Sequence, residues 1–311
     1  MKFDRNALDK VKQFETAFDF IDWSKEPAET FKELCKQRAQ QIRDTNDYVI
    51  LYFSGGSDST TVLNAFVDNG IFIDEVVTAN FEGIEAPCVS GMKAIEDIKK
   101  ASGIGFYNRV SIKFEDVKKF FMSDNFMSVA PNFVGNIHNI MRFSVDYLER
   151  FGFTQSRSRL GKVAHLYGTA DPSVKRTDNN FYATFNTIQY FMCDNFTEYE
   201  FFFTTSDFPQ LHVKQCYLVA EDMKKKGSYT VDKKVVRDYY NPIISPPKLG
   251  GDVSNTLKFR GQYNECSVIL DQYMKNEGFI DLYVQASVKE QIKITNKIRL
   301  LTGLNRSYAM Y

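Results

Sequence analysis

The sequence predicts an α/β protein built on a doubly wound, mainly parallel sheet, with a helical extension before it and a mainly helical portion after it. Three observations carry that expectation. Short continuous apolar runs, of which Tyr48-Val49-Ile50-Leu51-Tyr52-Phe53 is the clearest, read as strands buried on both faces. Helix-spaced apolar patterns alternate with these runs, as crossovers between parallel strands require. Glycine marks the ends of two of the strands, at Ser54-Gly55-Gly56 and at Gly168.

In chain order, residues 5–45 read as two or three helices. Val11, Phe14 and Phe18, then Phe31, Leu34, Ala39 and Ile42, fall at helical spacing, with a break at Glu26-Pro27. The 48–53 strand is followed by a helix carrying Val62, Leu63, Phe66 and Val67, which stops at Asn69-Gly70. Phe72 to Ala79 reads as the second strand, and residues 87–102 as a helix with Met92, Ile95 and Ile98. Phe106 to Phe114 reads as the third strand, followed by helices at 115–122 and from Asn136 to Phe151. Val163 to Tyr167 is the fourth strand and ends at Gly168. After about residue 180 the alternation fades. Residues 184–195, 209–226, 262–277 and 287–302 read as helical, Phe201 to Thr204 as a candidate last strand, and Pro242, Pro246, Pro247 and Gly250-Gly251 as loop. The expected organisation is a helical extension over residues 1–46, an α/β domain over 47–180 and a mainly helical portion over 181–311.

The composition, 43% hydrophobic and 25% charged over 311 residues, is that of a water-soluble globular chain with a core of its own. Lys plus Arg and Asp plus Glu both total 39, so no strong overall field favours nucleic acid or acidic membranes. Cys35, Cys88, Cys193, Cys216 and Cys266 are dispersed and form no C-x-x-C pair, which argues against a zinc, iron–sulfur or disulfide framework and fits a reducing compartment. The opening residues Met1-Lys2-Phe3-Asp4-Arg5 are not an apolar signal, and no apolar run approaches the ~20 residues of a membrane span. A soluble, cytoplasmic protein without a membrane partner is expected, with a homo-oligomer left open.

The chemistry is expected in Ser54-Gly55-Gly56-Ser57-Asp58-Ser59-Thr60, between the first strand and its helix. Two glycines allow a tight turn that brings backbone close to a ligand. The helix start offers free N–H groups and a positive dipole end to phosphate, and the serine and threonine hydroxyls add donors. A carboxylate at Asp58 would repel phosphate unless a Mg²⁺ ion lay between them, and one carboxylate with phosphate oxygens is a usual Mg²⁺ set. A Gly- and Ser-rich strand-to-helix turn without a ligand is the plainer alternative. No G-x-x-x-x-G-K-[ST] sequence or Rossmann fingerprint occurs.

The segment Tyr52-Phe53-Ser54-Gly55-Gly56-Ser57-Asp58-Ser59-Thr60 resembles the PP-loop of the ATP pyrophosphatase superfamily, the HUP-like, adenine nucleotide alpha-hydrolase-like proteins. The resemblance is to asparagine-synthetase-like domains without a glutaminase domain, and covers residues 47–80 most clearly, extending to about 180. It implies that the loop holds the β- and γ-phosphates of ATP as a leaving pyrophosphate while an acceptor oxygen is adenylylated, and that a nitrogen or sulfur nucleophile then displaces AMP. Ser54, Gly55, Gly56, Asp58 and Ser59 match the family loop, and the end of the second strand, with Ala79, Asn80 and Phe81, matches the backbone that contacts adenine. Gly168-Thr169-Ala170-Asp171 falls where relatives carry a glycine-rich segment with an acidic residue. Asp171 is thus a second candidate Mg²⁺ ligand, or else a helix N-cap before Pro172. Lys175 and Arg176 either neutralise the leaving pyrophosphate or are solvated charges. Lys214 resembles the late lysine of asparagine-synthetase-like proteins, and Lys224-Lys225-Lys226 reads as a helix end.

The acceptor and nucleophile stay open. Residue 2 is Lys2, not the cysteine of glutamine-dependent asparagine synthetases, so ammonia would arrive free, from another protein, or not at all. Cys193 or Cys216 could attack as a single thiol, although a buried inert cysteine is commoner. Asn264-Glu265-Cys266 is similar to a segment of phosphoadenylyl-sulfate reductases, but Ser267 follows it where they have glycine. His138, His165 and His212 show no metal spacing and are expected to be structural. The leading expectation is an adenylylating ligase or amidotransferase-like enzyme using ATP and Mg²⁺ on a small-molecule acceptor. Sulfur transfer and a non-catalytic ATP-binding module are the alternatives, and tRNA as acceptor is disfavoured by the neutral charge.

Overall fold

The apolar run that opens the α/β alternation is the middle of a sheet. The computed structural model describes residues 18–53, 57–81, 100, 103–112, 161–168, 172–184, 199–205, 207–231, 235 and 307–310. In it β1 (Tyr48–Tyr52) is flanked by β2 (Ile73–Phe81) and β4 (Val163–Tyr167), with β3 (Ile104–Ile112) beyond β2 and β7 (Tyr199–Phe201) beyond β4. All neighbours in this five-stranded sheet are parallel, which makes the protein an α/β fold. Val49, Ile50 and Leu51 are fully buried, as a strand covered on both faces must be.

The helices α1 (Phe31–Thr45), α2 (Ser57–Val67) and α3 (Pro209–Lys226) pack together, α1 touching both others. A capping box starts α1: Thr30 Oγ1 accepts from Glu33 N at 3.2 Å, and Thr30 N donates to Glu33 Oε2 at 2.8 Å. Pro209 opens α3, and Gly227, with φ 62°, closes it in the left-handed conformation. Leu34, Cys35, Ala39 and Ile42 are the buried stripe of α1. Arg38 is buried as well; its Nη2 donates to Glu200 Oε2 at 2.6 Å and to the Phe201 carbonyl at 3.3 Å, tying α1 to β7. Described residues before 47 and after 180 are therefore packed on the same sheet as the central segment. Among the described residues no helix is long and apolar enough to cross a membrane.

Asp74 shows which face of the sheet these helices cover, because its carboxylate meets Arg43 of α1 and accepts from Val49 N. Strand alternation then puts Leu51, Val76 and Leu166 on the helix side and Tyr48, Ile50, Tyr52, Glu75, His165 and Tyr167 on the other. That second face is unusually polar for a parallel sheet. Glu75 is fully buried; Asn108 Nδ2 donates to its Oε1 at 3.0 Å and the Tyr48 hydroxyl to its Oε2 at 3.4 Å. Burial pushes the Glu75 carboxyl above its ordinary value, and burial beside Glu75 and Asp74 pushes the Tyr48 phenol up to about 12. A carboxyl raised in the folded state contributes stability that is complete below its unfolded pKa and is lost as the pH rises through the folded one. Glu75→Gln removes that loss. The urea midpoint of the variant, relative to the native protein, is expected to rise between pH 4 and pH 8, and equal shifts at both pH values would show that folding does not raise the Glu75 carboxyl.

A second, antiparallel sheet has the order β5 (Ser173–Thr177), β6 (Asn180–Thr184), β8 (Ser307–Ala309) and lies against α3. The β5–β6 hairpin was not expected from the sequence. Its polar run Lys175-Arg176-Thr177-Asp178-Asn179-Asn180 resembles a loop, but alternation buries Val174, Phe181 and Ala183 beneath it. Asp178 takes φ 56° in the turn, a conformation aspartate tolerates better than most residues. Around the N-terminal end, Phe18–Phe20 form a 3-10 turn and 21–30 are irregular, so of the helices expected over 5–45 the described residues hold α1. The expected helices at 115–122, 136–151, 262–277 and 287–302 lie outside the described residues, as do 87–102 apart from Lys100 and 184–195 apart from Thr184, which ends β6.

Candidate functional site

The strand order reverses between β1 and β4. From β1 the chain builds outward through β2 and β3, and β4 and β7 then add on the opposite side. In open parallel sheets a ligand crevice forms outside the carboxyl ends of the strands at such a reversal. Both glycine-bearing segments singled out in the sequence leave from here. Phe53 N donates to the Val77 carbonyl at 2.8 Å at the end of β1, and α2 begins at Ser57. Ser54, Gly55 and Gly56, between them, lie outside the described residues, as do Thr169, Ala170 and Asp171 after β4.

The two segments are in contact through Gly168. A Cβ placed on Gly168 would sit 2.9 Å from the Asp58 carbonyl oxygen and 3.0 Å from the Ser59 nitrogen, so the end of β4 lies directly on the first turn of α2. A glycine is required by this close approach. Asp58 is half-buried in that turn, while Ser59 and Thr60 are buried. The positive helix end stabilises the Asp58 carboxylate. On the other side, β2 runs on past Val77, the residue paired with Tyr52, and residues 78–81 pair with β3 up to Phe81↔Ile112. The backbone of Ala79, Asn80 and Phe81 thus overhangs the end of β1.

The sequence-predicted cations are placed differently. Lys175 is exposed on β5. Arg176 lies over the Phe181 ring at 5.5 Å and the Tyr229 ring at 4.8 Å, and donates to the carbonyls of Asp178 and Ser228, which fastens the hairpin to the end of α3. Lys214 pairs with Glu26 at 2.6 Å and donates to the Pro27 carbonyl at 3.0 Å, so it holds the segment before α1. Asp171 is followed by a strand, not a helix, which removes the N-cap alternative. Cys35 and Cys216 are buried with their thiols pushed up by burial, so Cys216 is no thiolate nucleophile. Cys88, Cys193 and Cys266 lie outside the described residues.

His165 and His212 are both buried. His212 Nδ1 is 3.0 Å from Thr204 Oγ1, and burial lowers its pKa to about 4, as a structural role requires. His165 Nδ1 is 2.8 Å from the Tyr52 hydroxyl, and the Tyr52 ring stacks on Tyr167 with centroids 4.5 Å apart. This Tyr52–His165–Tyr167 group, on the second face near the carboxyl ends of β1 and β4, was missed from the sequence. Its signal was the spacing by two of Ile50 and Tyr52 and of His165 and Tyr167. Among the described residues no group of three or more His, Cys, Asp or Glu side chains is arranged to hold a metal ion.

No family model matches the chain, and a comparison with curated proteins found no match.

Proposed function

We propose that the chain binds ATP across the carboxyl ends of β1, β2 and β4, cleaves it between the α- and β-phosphates, and adenylylates an acceptor oxygen for C–N bond formation. The observation that carries this is the seating of Gly168 on the first turn of α2, beside the PP-loop-like segment and at the reversal of strand order. A doubly wound sheet of HUP type fits that order.

In this reading Ser54, Gly55, Gly56, Ser57 and the start of α2 receive the β- and γ-phosphates, with Ser59 and Thr60 acting through backbone N–H groups because their side chains are buried. The backbone of Ala79, Asn80 and Phe81 takes the adenine. The acceptor oxygen attacks the α-phosphorus, the bond to the β-phosphate oxygen breaks, and pyrophosphate leaves. A nitrogen nucleophile then displaces AMP. Asp58 fits a Mg²⁺ role because it is a single, half-buried carboxylate at a helix end that otherwise suits phosphate; Asp171 is the candidate second ligand. Bound there, Mg²⁺ would supply positive charge that neutralises the leaving pyrophosphate. Lys175 is accessible for the same task, whereas the contacts of Lys214 favour a structural role. The burial of Cys35 and Cys216 gives no support to sulfur transfer through them. A small-molecule acceptor and a cytoplasmic setting complete the reading.

Exchange of labelled pyrophosphate into ATP tests the adenylylation step. Incorporation that appears only with one fraction of a small-molecule extract is expected and identifies the acceptor. AMP production without exchange in any fraction would contradict transfer to an acceptor.

A further inference from the structure

At their carboxyl ends β1 and β4 are joined through side chains. The paired register between the two strands runs from Tyr48↔Val163 to Leu51↔Leu166. The next residue of β1, Tyr52, pairs on its other side with Val77 of β2. The next residue of β4, Tyr167, pairs with Phe201 of β7, and its carbonyl accepts from Phe202 N at 3.0 Å. Toward each other these two tyrosines present rings, stacked with centroids 4.5 Å apart and planes 7° apart. Tyr167 is fully buried, and the Tyr52 hydroxyl, 2.8 Å from His165 Nδ1, is tied to the same strand. Gly168 follows Tyr167 directly, and a Cβ there would lie 2.9 Å from the Asp58 carbonyl oxygen and 3.0 Å from Ser59 N.

We propose that the Tyr52–Tyr167 stack sets the spacing between the ends of β1 and β4 and so seats Gly168 on the first turn of α2, which makes Tyr52 a positioning residue for the nucleotide. The stack and the seating stand by themselves; the consequence for ATP rests on the nucleotide reading above. Buried aromatic pairs contribute more than the area they cover, because ring geometry fixes how the two side chains meet. With a shorter, non-aromatic side chain at position 52, Tyr167 loses the surface that it rests on and the end of β4 shifts. The backbone N–H groups of Ser59 and Thr60, which receive phosphate in that reading, then lose their alignment.

Tyr52→Phe and Tyr52→Leu in the full chain separate this role from a purely structural one. Tyr52 is half-buried, so either side chain can be accommodated. Tyr52→Phe keeps the stack but removes the hydroxyl from a fully buried histidine. It is expected to lower the urea midpoint while the Kd for ATP with Mg²⁺ stays within about two-fold of native. Tyr52→Leu removes the stack, and its Kd is expected to rise about ten-fold, the equivalent of one lost hydrogen bond to a charged group. A native Kd in Tyr52→Leu, or a Kd that tracks the urea midpoint through both variants, overturns the positioning role. Gly168→Ala, introduced into the unaltered chain and into Tyr52→Leu, reads the seating without nucleotide. Its shift in urea midpoint is expected to be at most about half as large in Tyr52→Leu, because the end of β4 is already loosened there. Equal shifts in the two backgrounds overturn the hold of the stack on Gly168. An unaltered chain that binds no ATP would instead remove the nucleotide reading and the positioning role with it, while the paired Gly168→Ala measurements still decide the seating.

Discussion

Asp58→Asn is expected to lower AMP formation from ATP by at least about 100-fold, the scale seen when one preorganised charge-stabilising group is removed from an active site. The substitution keeps shape and removes charge at a half-buried position in the first turn of α2. The loss of stability is smaller than the loss of activity, because the helix-end interaction of a partly buried carboxylate contributes at most about 2 kcal/mol. Steady-state kinetics with a thermal melt of the same samples separates the two effects. A variant that is less stable but fully active would mean that Asp58 serves the helix and not the metal.

Gly168→Val is expected to damage both stability and nucleotide binding. Its first side-chain carbon would lie 2.9 Å from backbone oxygen and 3.0 Å from backbone nitrogen in the turn holding Asp58 and Ser59, and neither can swing aside as a side-chain tip could. Forcing extra carbons into a packed site costs about 1–3 kcal/mol. The strain is relieved by moving the start of α2 away from β4, which also misplaces the turn proposed to receive phosphate. Urea unfolding measures the first consequence and ATP titration the second. Gly168→Ala should show both in weaker form, and native behaviour in the valine variant would disprove the close approach of the two segments.

These predictions concern a place where local pattern in the sequence was informative and long-range arrangement was not. Val163–Tyr167 and Pro209–Lys226 form as the sequence indicates, because a continuous apolar run and a Pro-to-Gly helix frame are local signals. β2 and β3 are displaced from the expected ranges by two residues or fewer at each end. The strand and the helix that flank Ser54-Gly55-Gly56 were legible for the same reason. What no local pattern contains is that β4 pairs with β1, which brings Gly168 onto the turn carrying Asp58. The polar cluster of Tyr48, Glu75 and Asn108 was hidden because its members sit on three strands, each apolar enough to read as ordinary core. The β5–β6 hairpin was not anticipated, since many of its residues face solvent and Arg176 spends its charge on carbonyls and rings of the fold. The pairing of Trp23 with Tyr308 spans most of the chain and has no sequence signal at all.

The central claim is the position of the bond that breaks. ATP labelled at the α-phosphate, incubated with the protein, Mg²⁺ and a small-molecule extract, separates the outcomes in one chromatogram. Labelled AMP that disappears with Asp58→Asn is the predicted result. Labelled ADP as the product would place the cleavage between the β- and γ-phosphates and contradict the account.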